Sequence, residues 1–302
     1  MSSRIKLTFL GTSDSIPTAK RNHPAMLLDF DGEHMLFDCG EGTQRQFRKA
    51  ERNPGCVSRI FISHWHGDHI LGLPGLLQTL SLTGHEKNIQ IYGPKNTKYF
   101  MKKIFETFVF VDKFPLEVHE IDKKGIIVDE KDFYVECEKM MHGTPTLAYK
   151  FVKKGHLRID KVKLKKAKIP NGKHLSDLKN GKDIKVNGKI YKAKDFTYGD
   201  KDVAVAIVMD TKLNDKIVPF VKNSDLLIIE SSFSDELKDK ASKHFHLTSK
   251  QVGEIAKKAN VKKLILTHIS MRYENNMDVI LNEAKKIFKN VHLVKDLESV
   301  EV

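Results

Sequence analysis

Apolar residues fall in short runs separated by longer segments with helical spacing. KLTFL (6–10), HMLFD (34–38), RIFIS (59–63) and IQIYG (89–93) have the length and composition of buried or half-buried strands. Between them GLLQTLSL (75–82) and NTKYFMKKIFETF (96–108) carry the pattern of amphipathic helices. A second set follows later: VAVAIVM (203–209), DLLIIE (225–230) and KLILTH (263–268) as strands, and TSKQVGEIAKKA (248–259) as a helix. A helix over Val279–Phe288 and a strand over Val291–Val294 complete it, and 115–152 reads as a meander. Strands and helices alternate in both halves. The pattern therefore predicts mixed α/β sheets covered by helices, and two such layers make an α/β/β/α sandwich.

At 302 residues one elaborated domain is expected rather than two large ones. No apolar run approaches the roughly 18 residues a membrane helix needs, and MSSRIKLTFLGTSDS lacks the apolar core of a secretory leader. A cytoplasmic protein with no membrane association is the expectation. Cys39, Cys56 and Cys137 are odd in number and form no C-x-x-C pair, which argues for buried thiols rather than disulfides or a zinc knuckle.

Charge changes the picture more than composition does. The net charge is +13, and most of it lies in residues 151–200, where fifteen Lys and Arg face five Asp. This window has turn signals at NG and GD and few large apolar residues, so it is expected not to fill a core alone. A solvated surface loop is one reading of it. Its length favours another, an arm spanning 153–199 inserted into the surrounding domain, because long loops are commonly functional.

The candidate chemistry lies in SHWHGDHILG, Ser63–Gly72. RIFIS reads as a strand ending at Ser63, and Gly67 and Gly72 mark a loop before a helix starting near Leu73. His64 and His66 share one side of an extended backbone, so one metal ion can take both. Asp68 and His69 fall where the loop bends and can face a second ion. Four ligands on one loop exceed what a single catalytic zinc usually takes from one segment. Further ligands are available at the carboxyl ends of apolar runs, where α/β sites gather: His142 after FYVECEKMM, Asp210 after VAVAIVM, and His268 after KLILT.

H-x-H-x-D-H followed by a lone His, an Asp and a His resembles the metallo-β-lactamase fold superfamily of hydrolases. FLGTSDSIPTAKRN (9–22), LFDCGEGTQRQ (36–46), HFHLTSKQ (244–251) and LTHISMRY (266–273) narrow the resemblance to the ribonuclease Z family, endonucleases that remove the 3′ trailer from precursor tRNA. The resemblance spans nearly the whole chain outside the arm. It implies a four-layer metallo-β-lactamase-like sandwich over 1–302 with the arm as a tRNA-binding exosite. It also implies two Zn²⁺ per subunit, with Mn²⁺ as the other metal to consider, and a homodimer in which one subunit's arm presents tRNA to the other's metals. Cleavage would leave a 3′-hydroxyl on the tRNA and a 5′-phosphate on the trailer. By the same resemblance His64, His66 and His142 hold one ion, Asp68, His69 and His268 hold the other, and Asp210 bridges them. Asp68 also accepts the proton of the attacking water, and His246 with Glu230 protonates the leaving oxygen. His244 is the rival to His246, which aligns with the family's His-Ser-Thr as His246-Leu247-Thr248. Asp38 is divided between orienting a ligand and a turn role, and Thr248 between capping a helix and touching phosphate.

Four departures stand out. Ile229-Glu230-Ser231-Ser232 replaces the family's His-Glu-Ala-Thr, Met209 replaces a glycine before Asp210, and the P-x-K-x-R-N loop reads Pro17-Thr18-Ala19-Lys20-Arg21-Asn22. The arm offers Pro170-Asn171-Gly172 in place of Gly-Pro. The alternative functions are another phosphodiesterase of the same fold and a 3′ exonuclease not specific for tRNA.

Overall fold

The computed structural model describes residues 4–110 and 114–302; residues 1–3, where the stretch read against a leader begins, and 111–113 lie outside them. The chain folds into two compact units. One comprises Met1–Ile127, Val135–Phe151 and Ala204–Val302, the other Val128–Tyr134 and Val152–Val203. No helix among the described residues is long and apolar enough to cross a membrane.

Two seven-stranded sheets dominate the architecture. The first runs in the order Ser299–Glu301, Lys6–Gly11, Ala25–Phe30, Glu33–Phe37, Arg59–Phe61, Ile89–Gly93, Leu116–Glu120, antiparallel as far as Glu33–Phe37 and parallel beyond it. The second runs Val291–Leu293, Lys263–Thr267, Leu226–Glu230, Val203–Val208, Thr146–Lys153, Phe133–Met140, Gly125–Asp129, and its first four strands are parallel. Parallel strands buried on both faces read as continuous apolar runs, which is why LLIIE and KLILT show no alternation.

The period-two rule sorts these side chains into layers. Ile60 points outward under the helix Gly72–Leu82, whose Leu73, Leu76, Leu77 and Leu80 are fully buried against it. Burying a leucine stabilises by about 1.5–3 kcal/mol relative to exposure. Its neighbour Phe61 points inward, stacked on Phe37 at 4.9 Å and tilted against Tyr149 of the second sheet at 5.3 Å. On the far side Val252, Ile255 and Ala256 of helix Ser249–Lys258, with Ile280 and Ala284 of helix Asp278–Ile287, cover Ala206, Val208, Leu227, Ile229, Leu264 and Leu266. Gly253 lets these two helices approach: a Cβ there would sit 3.0 Å from the Ala284 carbonyl oxygen. Helix, sheet, sheet and helix thus form the α/β/β/α sandwich.

Some elements differ from the sequence reading. The 115–152 meander divides between the sheets, because Leu116–Glu120 pairs in parallel with Ile89–Gly93 while the later strands join the second sheet. Gly67–Ile70 forms a helical turn and the helix proper starts at Gly72, so Asp68 and His69 project from a helical turn rather than a bent loop. Cys39 and Cys137 are buried as expected, but Cys56, in a surface turn, is only half-buried.

The lysine-rich unit has a core after all. Leu164, Ile169, Leu178, Ile184 and Ala193 are buried together, with Ile159, Leu175, Tyr191 and Phe196 packed around them. They come from short helices, Lys161–Lys166 and His174–Lys179, and from two-stranded ribbons pairing Leu157–Ile159 with Thr197–Gly199 and Ile184–Val186 with Lys189–Tyr191. Each element supplies one or two apolar residues, a spacing too sparse to register as a core in a count along the chain. Asp160 caps the first helix by accepting from the Val162 and Lys163 amides.

Candidate metal centre

Five strands end on one edge of the sandwich, and each delivers a polar residue at or just beyond its carboxyl end. Arg59–Phe61 leads to His64, Phe133–Met140 to His142, and Val203–Val208 to Asp210. Leu226–Glu230 ends on Glu230, and Lys263–Thr267 leads to His268. Asp210 joins what they bring. Its Oδ2 lies 3.7 Å from His64 Nε2 and 3.8 Å from His142 Nε2, while its Oδ1 lies 3.5 Å from His69 Nε2 and 3.1 Å from His268 Nε2. Asp68 Oδ2 completes the second group, 3.2 Å from His69 Nε2 and 3.4 Å from His268 Nε2. His66 Nδ1 completes the first, 3.0 Å from His64 Nε2 and 3.1 Å from His142 Nε2. Two sets result, His64, His66, His142, Asp210 and Asp68, His69, Asp210, His268, each with its ligand atoms within 4.8 Å of one another.

The hydrogen bonds behind these rings fix which nitrogen faces the centre. His69 Nδ1 donates to Asp38 Oδ2 at 2.7 Å, and Asp38 is held by the Ser63 amide at 2.7 Å and the Ser63 hydroxyl at 2.8 Å. Since that hydroxyl donates to Asp38, it accepts from His64 Nδ1 at 3.0 Å. His142 Nδ1 donates to the Phe245 carbonyl at 3.2 Å. His268 Nδ1 donates to Ser232 Oγ at 2.9 Å, and that hydroxyl donates in turn to Glu230 Oε2 at 2.7 Å. With Nδ1 protonated in all four rings, each Nε2 presents a lone pair inward.

This donor set fits divalent metal. The lone pairs of His64 and His142 face His66 at hydrogen-bond distance, and the buried atoms His69 Nε2 and Asp210 Oδ1 have no hydrogen-bond partner. Buried polar atoms are ordinarily paired, so lone pairs converging in this way are accounted for by cations. Electrostatics agree. Burial holds His64 well below the usual imidazole range and lowers His142, which favours the neutral rings that can ligate. Burial also pulls His69 and His268 down, but Asp210 and its neighbouring carboxylates outweigh it and raise both. Burial raises Asp68 and Asp210, yet the adjacent imidazoles overcome it and hold both below the carboxylate range.

His246 stands beside both sets. Its Nδ1 donates to Glu230 Oε1 at 3.0 Å, and Glu230, fully buried, also accepts from the Thr211 amide at 2.9 Å. Burial lowers the His246 pKa, but Glu230 and then Asp210 override it and push it up to about 10. Glu230, His246 and His268 also lie close enough to hold a metal, but both Glu230 oxygens already accept protons, which favours a hydrogen-bonded acid there. His244 is exposed at the end of helix Lys238–Lys243, whereas the ring bonded to Glu230 is that of His246. Thr248 caps the following helix in a capping box with Gln251.

Sequence reasoning missed three groups: Ser63, Ser232 and the Phe245 carbonyl. Ser232 occupies the last position of the Ile229–Ser232 departure, so the hydroxyl the family's threonine carries there is retained. Phe245 has φ 60, Asp38 φ 55 and His268 φ 57, left-handed values that non-glycine residues rarely adopt and that cluster at functional sites.

The family model described as Anti-Pycsar protein Apyc1 matches residues 5–106. The chain is 36% identical over 301 residues to a ribonuclease Z of Methanosarcina acetivorans, covering 99% of this chain and 98% of that one. It is 38% identical over 295 residues to a ribonuclease Z of Chlamydia trachomatis, covering 98% and 96%. The crystal structure of human tRNase Z, short form, superposes with a TM-score of 0.72 at 27% identity and covers 98% of each chain. Likeness at that identity over the full length of both chains, on the metallo-β-lactamase fold, places this chain in the ribonuclease Z family.

Proposed function

We propose that this chain is a metal-dependent endoribonuclease that removes the 3′ trailer from precursor tRNA, leaving a 3′-hydroxyl on the tRNA and a 5′-phosphate on the trailer. The observation that carries the reading is the division of Asp210 between two convergent ligand sets in a chain whose full-length relatives are ribonucleases Z.

His64, His66, His142 and Asp210 would hold one zinc ion, and Asp68, His69, His268 and Asp210 the other. When bound, such ions neutralise the anionic phosphodiester and lower the pKa of water toward about 7. The chain's own residues manage the protons. Asp68, kept ionised by His69 and His268, takes a proton from the water that attacks phosphorus. As the new bond forms on the trailer side, the bond to the ribose 3′ oxygen breaks. That oxygen is a poor leaving group unless protonated. His246, its Nδ1 anchored on Glu230 and its ring protonated at neutral pH, supplies the proton from Nε2. Glu230 orients the ring, and through Ser232 it also orients His268. His66 lies on the exposed side of the first set, which leaves an approach for the scissile phosphate.

The lysine-rich unit is the docking surface in this reading. Its groove is lined by Arg158, Lys161, Lys165, Lys173 and Lys179 with Tyr198 as the aromatic, which suits the phosphates of a folded duplex better than stacked single-stranded bases. A homodimer, in which one subunit's arm serves its partner's metals, and a cytoplasmic location belong to the same reading. The test is incubation of purified protein with a 3′-extended tRNA precursor, with and without chelator, and mapping of the ends. A metal-dependent single cut leaving a 3′-hydroxyl near the discriminator base supports the proposal. Progressive trailer shortening, or cleavage that survives chelation, overturns it.

A further inference from the structure

We infer that Asp296, which belongs to neither ligand set, is a positioning residue for trailer cleavage: its carboxylate fixes the segment Thr12–Asn22 that rims the second set. The inference rests on the reaction proposed above. Asp296 lies in the loop before strand Ser299–Glu301. Its Oδ1 accepts from the Thr12 hydroxyl at 2.6 Å, and its Oδ2 accepts from the Asn22 amide at 2.7 Å and from Gln46 Nε2 at 3.0 Å. The Thr12 hydroxyl in turn accepts from Arg21 Nη1 at 2.8 Å. Arg21 is only 5% exposed, and its charge is countered by Asp296 and Glu274. One carboxylate therefore ties both ends of the segment and balances a buried guanidinium within it.

Buried ionic networks of this kind seldom stabilise more than apolar packing would. What this one does is geometric. At one end Ser13 bridges to Ile269, the residue after His268, with Ile269 N donating to the Thr12 carbonyl at 3.2 Å and Asp14 N to the Ile269 carbonyl at 3.3 Å. At the other end His23 and the turn carrying Asp68 both close on Gly40: a Cβ built there would meet His23 Cβ and the Asp68 carbonyl oxygen each at 2.4 Å. Between these anchors Ser15, Ile16, Pro17, Ala19 and Lys20 are exposed, Ile16 by 51%. A polynucleotide with its scissile phosphate at the ligand sets extends past them and meets this rim. A small phosphodiester does not reach it.

Asp296→Asn separates the two cases. The carboxamide keeps one acceptor oxygen, best left on the Asn22 amide and Gln46. Its NH₂ then faces Thr12, whose proton loses its acceptor, and the charge opposite Arg21 is gone. The experiment compares zinc-loaded full-length wild type and variant on a precursor tRNA, with kcat, KM and mapped ends, and on bis(p-nitrophenyl) phosphate, with zinc content measured alongside. On precursor tRNA kcat/KM should fall by about ten- to a hundredfold, carried by kcat, and the cut should spread over adjacent positions, with ester hydrolysis and zinc content unchanged within about twofold. Thr12→Val, which removes only the linking hydroxyl, should act in the same direction and more weakly, and it decides the matter if Asp296→Asn does not fold. An unchanged, single cut at the wild-type rate overturns the inference. So does a proportional loss on both substrates or of zinc, which would mark a merely structural role. A wild type that leaves precursor tRNA intact overturns the functional reading and this inference together, whereas a cutting wild type with an indifferent variant overturns the inference alone.

Discussion

Asp38→Asn tests whether the residues behind the ligands set metal affinity. Asp38 sits at φ 55, a conformation asparagine tolerates, so the substitution leaves the backbone in place and changes only charge and acceptors. Its Oδ2 receives two donors, His69 Nδ1 and the Ser63 hydroxyl, and its Oδ1 receives one, the Ser63 amide. The carboxamide will keep its oxygen toward the two donors and turn its NH₂ toward the Ser63 amide. That leaves the Ser63 amide N–H and the carboxamide NH₂ facing it without acceptors, at about 1–3 kcal/mol of folding stability for each unsatisfied group. His69 keeps a hydrogen bond but loses its anionic partner. Bonds to charged groups contribute about 1.5–3 kcal/mol against about 0.5–1.5 for neutral ones, and residues that orient ligands typically change metal affinity by about 10–100-fold. Zinc affinity at the Asp68, His69, His268 set should therefore drop by about tenfold or more. Competition against a chromophoric chelator measures it, with urea unfolding of the metal-free protein as the control. Unchanged zinc affinity would refute the claim that Asp38 acts through His69.

Other variants probe separate links. His246→Ala should slow trailer cleavage by about 10²–10⁴-fold with zinc content intact, and metal loss in the variant would contradict the acid role. Deleting 155–198 should weaken precursor tRNA binding most at low salt and flatten its salt dependence, while sparing bis(p-nitrophenyl) phosphate; equal loss of both would deny a separate docking role. Leu76→Ala, at a fully buried position under the first sheet, should cost about 2–5 kcal/mol in urea unfolding. Gly72→Ala would place a Cβ 1.9 Å from the Gly40 carbonyl oxygen, so the helix start must move; about 3 kcal/mol of stability should be lost, with zinc binding weakened in step.

The sequence made the ligands legible because metal chemistry restricts residue types at fixed places: His64, His66, Asp68 and His69 on one loop, and His142, Asp210 and His268 after apolar runs. The strands behind them were legible through period and composition. What supports the ligands was not. Ser63 and Ser232 are ordinary residue types whose role depends on rings brought near them by folding, and the Phe245 carbonyl carries no side-chain signature. Asp38 was left between two roles because only the fold brings it to His69, 31 positions away. The same limit hid the arm's core, since Leu164, Leu178 and Ile184 meet only after two short helices and two ribbons form. Asp296 tells the same story across 274 positions to Asn22.

The central claim is that Asp210 joins two ligand sets into a binuclear zinc centre that cuts precursor tRNA. Titrating metal-depleted protein with zinc, while following both bound metal and trailer release, tests it most directly. The account predicts two equivalents per chain, with cleavage appearing only as the second is taken up. Full cleavage with a single equivalent bound, or with none, would contradict it.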